Sequence, residues 1–159
     1  MIIARYALNG LPSSILTVLG VGNFPAFSGQ LYGRNNVTMA GRKNIGPIPP
    51  GRYFIVGRQS GGRLGTITDF GLKNFYGTDR SMWFALYKED WQIDDSVFID
   101  GVKRGSFRLH PVGPRGLSEG CITLLHLSDF DYLREALVKT TMIPVPCTSF
   151  KAYGTITVT

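Results

Sequence analysis

Glycine and proline interrupt this chain so often that long regular elements have little room. Twenty glycines and nine prolines, with aromatic residues spread among them, suit many short strands joined by turns. Residues 2–8 read as a strand, Asn9-Gly10 as a tight turn and residues 14–19 as a returning strand, which makes an opening hairpin. The region 20–33 then breaks regular structure, with Phe24, Phe27 and Tyr32 packing at the edge of a core. Pro47-Ile48-Pro49-Pro50-Gly51 is a rigid extended entry into a strand over 52–56. The stretch 60–77 is punctuated by glycine but lacks the Gly-Lys-Ser/Thr ending of a phosphate-binding loop, so a mobile loop is expected there. Residues 81–87 and 96–100 are apolar strands, with Trp83 in the core. Trp91 belongs at the surface or a cleft rim, among Glu89, Asp90, Asp94 and Asp95, which read as a solvated turn. Asp100-Gly101 turns the chain into a strand that ends at His110. Ser128-Asp129-Phe130-Asp131 opens the one substantial helix, whose buried stripe is Phe130, Leu133 and Leu137 and which runs to about Lys139. Residues 152–158 read as a closing strand.

With 159 residues, 43% of them hydrophobic, a chain of this kind buries most of its apolar surface as a single domain, 1–159. The net charge of +6 favours an anionic partner, and nucleic acid and bacterial cell wall both qualify. The basic residues are scattered, with Arg42-Lys43 and Lys103-Arg104 as the adjacent pairs, and no nucleic-acid module pattern is present. They read as a solvated surface, and no nucleic-acid partner is expected. Two cysteines and two histidines without paired ligand spacing argue against a metal site, and no cofactor is expected. Cys121 and Cys147 leave a disulfide open as a possibility. The N-terminus has no basic segment followed by a long apolar run, so neither a secretory signal nor a membrane span is expected, and synthesis is expected in the cytoplasm.

The chemistry concentrates between His110 and Cys121. In the run Ser106-Phe107-Arg108-Leu109-His110, Phe107 and Leu109 face one way and Ser106, Arg108 and His110 the other. Pro111 ends the strand with the imidazole at its tip. The loop that follows is stiffened by Pro111 and Pro114, bent at Gly113 and Gly116, and closes with Ser118-Glu119-Gly120-Cys121. Gly120 lets a substrate approach the backbone, and the amides around Gly120 and Cys121, with Ser118 in the same loop, are candidates for an oxyanion hole. A neutral His110 can take the thiol proton. Alternatively, a thiolate–imidazolium pair lowers the cysteine pKa from about 8.5 into roughly the 3.5–7.5 range. By residue type alone, Cys121 serves equally as a small buried hydrophobe beside a satisfied loop histidine.

The block Ser118-Glu119-Gly120-Cys121-Ile122 resembles the Ser/Thr-His-Gly-Cys signature of L,D-transpeptidases, which cross-link or trim peptidoglycan stems through a cysteine acyl-enzyme. Together with Ala26-Phe27-Ser28-Gly29, Gly46-Pro47-Ile48-Pro49-Pro50-Gly51-Arg52-Tyr53 and Ser60-Gly61-Gly62, it makes the chain similar to the L,D-transpeptidase-like antibacterial effectors of the type VI secretion system. Glu119 stands where the larger family has histidine, and Thr123 where it has Arg or Asn. The resemblance implies a mainly β, single-domain L,D-transpeptidase-like catalytic fold with one helix, with Cys121 as nucleophile and His110 as its base. The implied substrate is a peptidoglycan stem tetrapeptide, with Arg108, Arg115 and Glu119 as candidates for binding it. The implied partners are a secretion apparatus and a cognate immunity protein, and the implied place of action is the periplasm of a target bacterium. A non-enzymatic β-rich binding module and a cysteine peptidase acting on proteins are the alternatives.

Overall fold

A computed structural model describes residues 1–57 and 80–159. The glycine-punctuated loop expected at 60–77 lies outside the described residues. The strands are short and numerous, as the glycine and proline spacing predicts. β1 (Ile2–Tyr6), β2 (Ser14–Val18) and β3 (Gly22–Phe27) form an antiparallel meander. β4 (Gly51–Gly57) and β5 (Phe84–Lys88) pair antiparallel. β8 (Arg108–Pro111) and β9 (Ile122–Leu124) run parallel, and β11 (Lys151–Val158) closes the chain. The order β1-β2-β3-β9-β8-β5-β4-β11 returns to β1 through a parallel β1–β11 pairing. Eight strands therefore make a closed barrel, with the short β10 (Ile143–Pro144) hung on β11. Closure leaves no open edge among the eight. β6 (Ser96–Ile99) and β7 (Val102–Gly105) form a separate hairpin, and its Asp100-Gly101 turn has φ of 48° and 77°, the left-handed pair that a two-residue turn requires.

Alternation sets which face is inside. Ile2, Ala4 and Tyr6 of β1 and Leu16 and Val18 of β2 are buried in the barrel, joined there by Tyr53, Ile55, Leu86, Leu109, Ile122 and Ile156. β4 is instead apolar without a break because both of its faces are covered. Tyr53 and Ile55 face the barrel, while Phe54 and Val56 pack with Ala85, Val145 and Ala152 on the other side. The helix α1 (Leu127–Lys139) buries Phe130, Leu133 and Leu137 against the barrel, as its periodicity predicts.

Three local expectations are corrected. The 20–33 region is not irregular throughout: pairing with β2 along its length holds Gly22–Phe27 extended as β3, whose far end joins β9. The helix is capped by His126 and not by Ser128, because the chain turns directly out of β9 and the Phe130 amide already donates to the His126 carbonyl. The Asp100-Gly101 turn leads first into β7, and only a left-handed Ser106 (φ 55°) then swings the chain into β8.

Candidate active site

The parallel pair β8 and β9 brings the two ends of the chemistry-bearing segment together. Their register sets Leu109 opposite Ile122 and His110 opposite Thr123, so His110 and Thr123 share a face, and Cys121, two residues before Thr123, lies on that same face. The intervening loop bends back at Gly116 (φ 59°), whose amide donates to the Gly113 carbonyl at 2.9 Å. His126 is exposed at the start of α1 and does not line the cleft that holds Cys121 and His110.

That cleft has a volume of about 770 Å³. Its lining carries the basic side chains Lys43, Arg80, Lys103, Arg104, Arg108 and Arg115 against the acidic Asp94, Asp95 and Glu119, so it offers an excess of positive charge to an anionic ligand. Ser118 and Trp83 complete the neighbourhood of the pair.

His110 is only 7% exposed and is held on three sides. Its Nδ1 lies 2.7 Å from the Pro111 carbonyl, which can only accept, so Nδ1 carries the proton and donates. Nε2 is left as the acceptor and meets the Thr123 hydroxyl at 3.3 Å. The Trp83 ring stacks on the imidazole at 4.2 Å, with 17° between the planes. Burial, helped by the charges of Arg80 and Arg108 and opposed by the Pro111 hydrogen bond, lowers the His110 pKa to about 4. Cys121 is half-buried at the cleft floor, where its thiol donates to the Ser106 carbonyl at 3.8 Å and accepts from the Arg108 amide. Burial pushes the thiol up to about 11, although the Arg108 amide and the charges of Arg108 and Arg80 pull the other way. At neutral pH the resting pair is therefore a neutral thiol beside a neutral imidazole, and of the two activation routes open from the sequence the proton-transfer route fits. Cys121 and Cys147 are both free thiols.

A stability consequence follows from the depressed histidine. The unfolded imidazole binds its proton near pH 6.5 and the folded one only near 4, so below pH 6.5 the unfolded state holds more protons and stability falls with pH. Above pH 6.5 the effect is absent. Urea unfolding at pH 7 and pH 4.5 is expected to show a loss of about 2 kcal/mol that His110→Phe does not share.

The loop before Cys121 is tied down from several sides. The buried Ser118 hydroxyl donates to the Cys121 carbonyl at 2.7 Å. The Ser28 hydroxyl donates to the Gly120 carbonyl at 3.2 Å and accepts from the Ile48 amide at 2.8 Å. Ser28 is fixed in turn by the buried Asn35, whose Oδ1 accepts from the Ser28 amide at 2.9 Å and from the Tyr6 hydroxyl at 2.5 Å. The Gly120 amide points at the Ser118 hydroxyl from 3.4 Å, beyond a strong N–H···O distance.

Gly120 is a glycine for a reason other than the expected close approach of a substrate. It is buried with φ of 119°, and a Cβ there would sit 2.5 Å from Arg104 Nη2 and 2.8 Å from the Phe107 ring. Gly120→Ala is expected to cost about 2–4 kcal/mol in urea unfolding, since backbone strain adds to the clash.

Arg104 corrects the reading of the basic pairs as solvated surface. It is 5% exposed, and its guanidinium donates to the carbonyls of Ala40, Pro47, Gly46 and Glu119, with Phe107 beneath it. It thus clamps the 40–47 segment to the nucleophile loop. Its signal in the sequence was parity: on the hairpin Arg104 pairs with Val97, the inward residue of β6. Arg108 forms a bidentate pair with Asp95, both contacts 2.6 Å, so Asp95 is a fixed partner within the cleft and not part of a solvated turn. Arg115 and Glu119 lie on the exposed lip. Trp83 is core as expected, and Trp91 is fully exposed.

The protein is thus an eight-stranded barrel whose basic cleft is lined by a thiol just ahead of β9 and by an imidazole on the adjacent parallel strand β8. Its family is given by a match over residues 22–148 to the Tlde1 domain: the chain belongs to the Tlde1 domain family, a family of type VI secretion effectors. No curated protein and no solved structure matches the chain. Among the described residues, no helix is long and apolar enough to cross a membrane.

Proposed function

We propose that this effector is an antibacterial toxin that modifies peptidoglycan as a cysteine enzyme, an L,D-carboxypeptidase and L,D-transpeptidase acting on stem tetrapeptides. The observation that carries the reading is the hydrogen bond from His110 Nδ1 to the Pro111 carbonyl, which fixes Nε2 as a proton acceptor on the face that holds Cys121. In this reading Nε2 takes the thiol proton as Sγ attacks the carbonyl at the L-centre of the third residue. The tetrahedral intermediate collapses, the imidazolium protonates the departing amine, and D-alanine leaves. The stem remains on Cys121 as a thioester. Water then releases a tripeptide, a free D-amino acid gives exchange, and the amine of a second stem gives a cross-link, each regenerating the thiol.

The excess positive charge of the cleft suits a stem peptide that ends in a carboxylate. Arg115 and Glu119, on the lip, are the substrate-binding candidates nearest to solvent. Arg108 enters through its charge and its amide while its guanidinium stays with Asp95. The family supports delivery by a secretion apparatus and neutralisation in the producer by a cognate immunity protein, and in this reading the target is the wall in a rival's periplasm. Incubating the purified protein with tetrapeptide muropeptides and following product mass tests the reading. Loss of one D-alanine, or its replacement by another D-amino acid, is expected. Unchanged muropeptides would overturn it, and cleavage of protein chains instead would indicate a peptidase.

A further inference from the structure

We propose that Thr123 is a positioning residue for the base: its hydroxyl holds His110 Nε2 in the resting protein and receives the Nε2 proton's hydrogen bond once the imidazole is charged. The inference rests on the proton-transfer role given to His110 above, and deepens it.

In the resting arrangement the thiol and the imidazole are each engaged elsewhere. Sγ is turned to the Ser106 carbonyl at 3.8 Å, and Nε2 meets Thr123 Oγ1 at 3.3 Å. Thr123 is fully buried and stands directly across the parallel ladder from His110, so backbone pairing and not a flexible tether sets its distance. With Nδ1 committed to the Pro111 carbonyl, the neutral ring has one vacancy, a lone pair at Nε2, and the Thr123 O–H donates to it.

When the thiol proton moves to Nε2, that nitrogen becomes a donor. A hydroxyl answers the change by rotating, because it carries one donor and two acceptor lone pairs. Arginine at this position would be donor-only and could not accept the new N–H. A valine would do neither. The hydrogen bond from a charged imidazolium is the stronger of the two states, so the hydroxyl favours the proton-accepted form and makes His110 a better base than its burial alone allows. Trp83, stacked flat on the ring, keeps the imidazole in plane during the exchange.

Thr123→Val keeps the shape and removes the hydroxyl; Thr123→Ser keeps the hydroxyl and removes the methyl. With tetrapeptide muropeptide as substrate, Thr123→Val is expected to lower kcat about tenfold with KM changed less than about twofold, whereas Thr123→Ser stays within about threefold of the wild type. The acid limb of kcat/KM in Thr123→Val should also move to lower pH, a shift that loss of packing alone would not produce. If Thr123→Val does not fold by circular dichroism, Thr123→Ala compared with Thr123→Ser reads the same hydroxyl. Equal turnover in the variants with and without the hydroxyl would overturn the inference. A second arm needs no activity. In nitrogen-15 spectra at pH 7 the His110 Nε2 resonance should shift between wild type and Thr123→Val while Nδ1 stays protonated, and an unmoved Nε2 would show that the contact is absent. An inactive wild type whose Nε2 nevertheless shifts would thus sink the peptidoglycan reading alone.

Discussion

Cys121→Ala is expected to abolish processing of tetrapeptide muropeptides, with a fall on the order of 10⁴–10⁶ in kcat, because the proposed thioester forms on the Cys121 thiol itself. The fold should survive. Cys121 is half-buried, its thiol makes only a long contact to the Ser106 carbonyl and one to the Arg108 amide, and its carbonyl remains available to Ser118. The same pair of proteins carries the prediction into cells. Wild-type protein fused to an export signal should harm a Gram-negative host, exported Cys121→Ala should be harmless, and unexported wild type should be tolerated, since the proposed substrate lies outside the inner membrane. Growth curves with matched periplasmic protein levels decide it. Equal toxicity of the alanine variant would point to a target other than a thiol-dependent one.

His110→Gln should cost on the order of 10²–10⁴ in kcat, the usual contribution of a positioned base, and His126→Gln less than about twofold. The structure separates the two histidines. One is buried between Trp83, Thr123 and the Pro111 carbonyl, and the other is exposed at the head of α1. The pH profile should follow from the same burial. Attack from a neutral thiol requires a neutral imidazole, and with His110 lowered to about 4 and the thiol raised to about 11, that state dominates across the neutral range. Thus kcat/KM should be level between about pH 6 and pH 9 and fall only as pH drops toward 4, where the imidazole gains its proton and ceases to be a base. A bell centred near neutrality would instead report a resting thiolate–imidazolium pair. Circular dichroism on both histidine variants keeps a loss of fold apart from a loss of chemistry.

Much of this arrangement is legible in the sequence. The density of glycine and proline foretold short strands, the spacing of Phe130, Leu133 and Leu137 foretold the helix, and Pro47-Ile48-Pro49-Pro50-Gly51 foretold a strand at 52–56, whose covering on both faces only the structure shows. The candidate pair also followed from local rules, since a histidine before a proline at a strand end and a cysteine after a glycine are constrained by their immediate neighbours. What local rules cannot supply is which distant segment fills the space beside them. Gly120 looks like an open approach in the sequence, and only the packing of Arg104 and Phe107 against it makes it a closed one. Arg104 itself sits beside Lys103 like a surface pair, and its burial depends on four carbonyls drawn from segments far apart in the chain. Asp95 and Arg108 find each other for the same reason.

The sequence by itself thus determined a β-rich fold of short strands and singled out Cys121 and His110 as a candidate pair, because backbone freedom, strand parity and side-chain chemistry are properties of neighbouring residues. Only the tertiary structure decided the charge state of that pair and the partner of Nε2. Both depend on desolvation and on contacts across the β8–β9 ladder, which exist only once the barrel has closed.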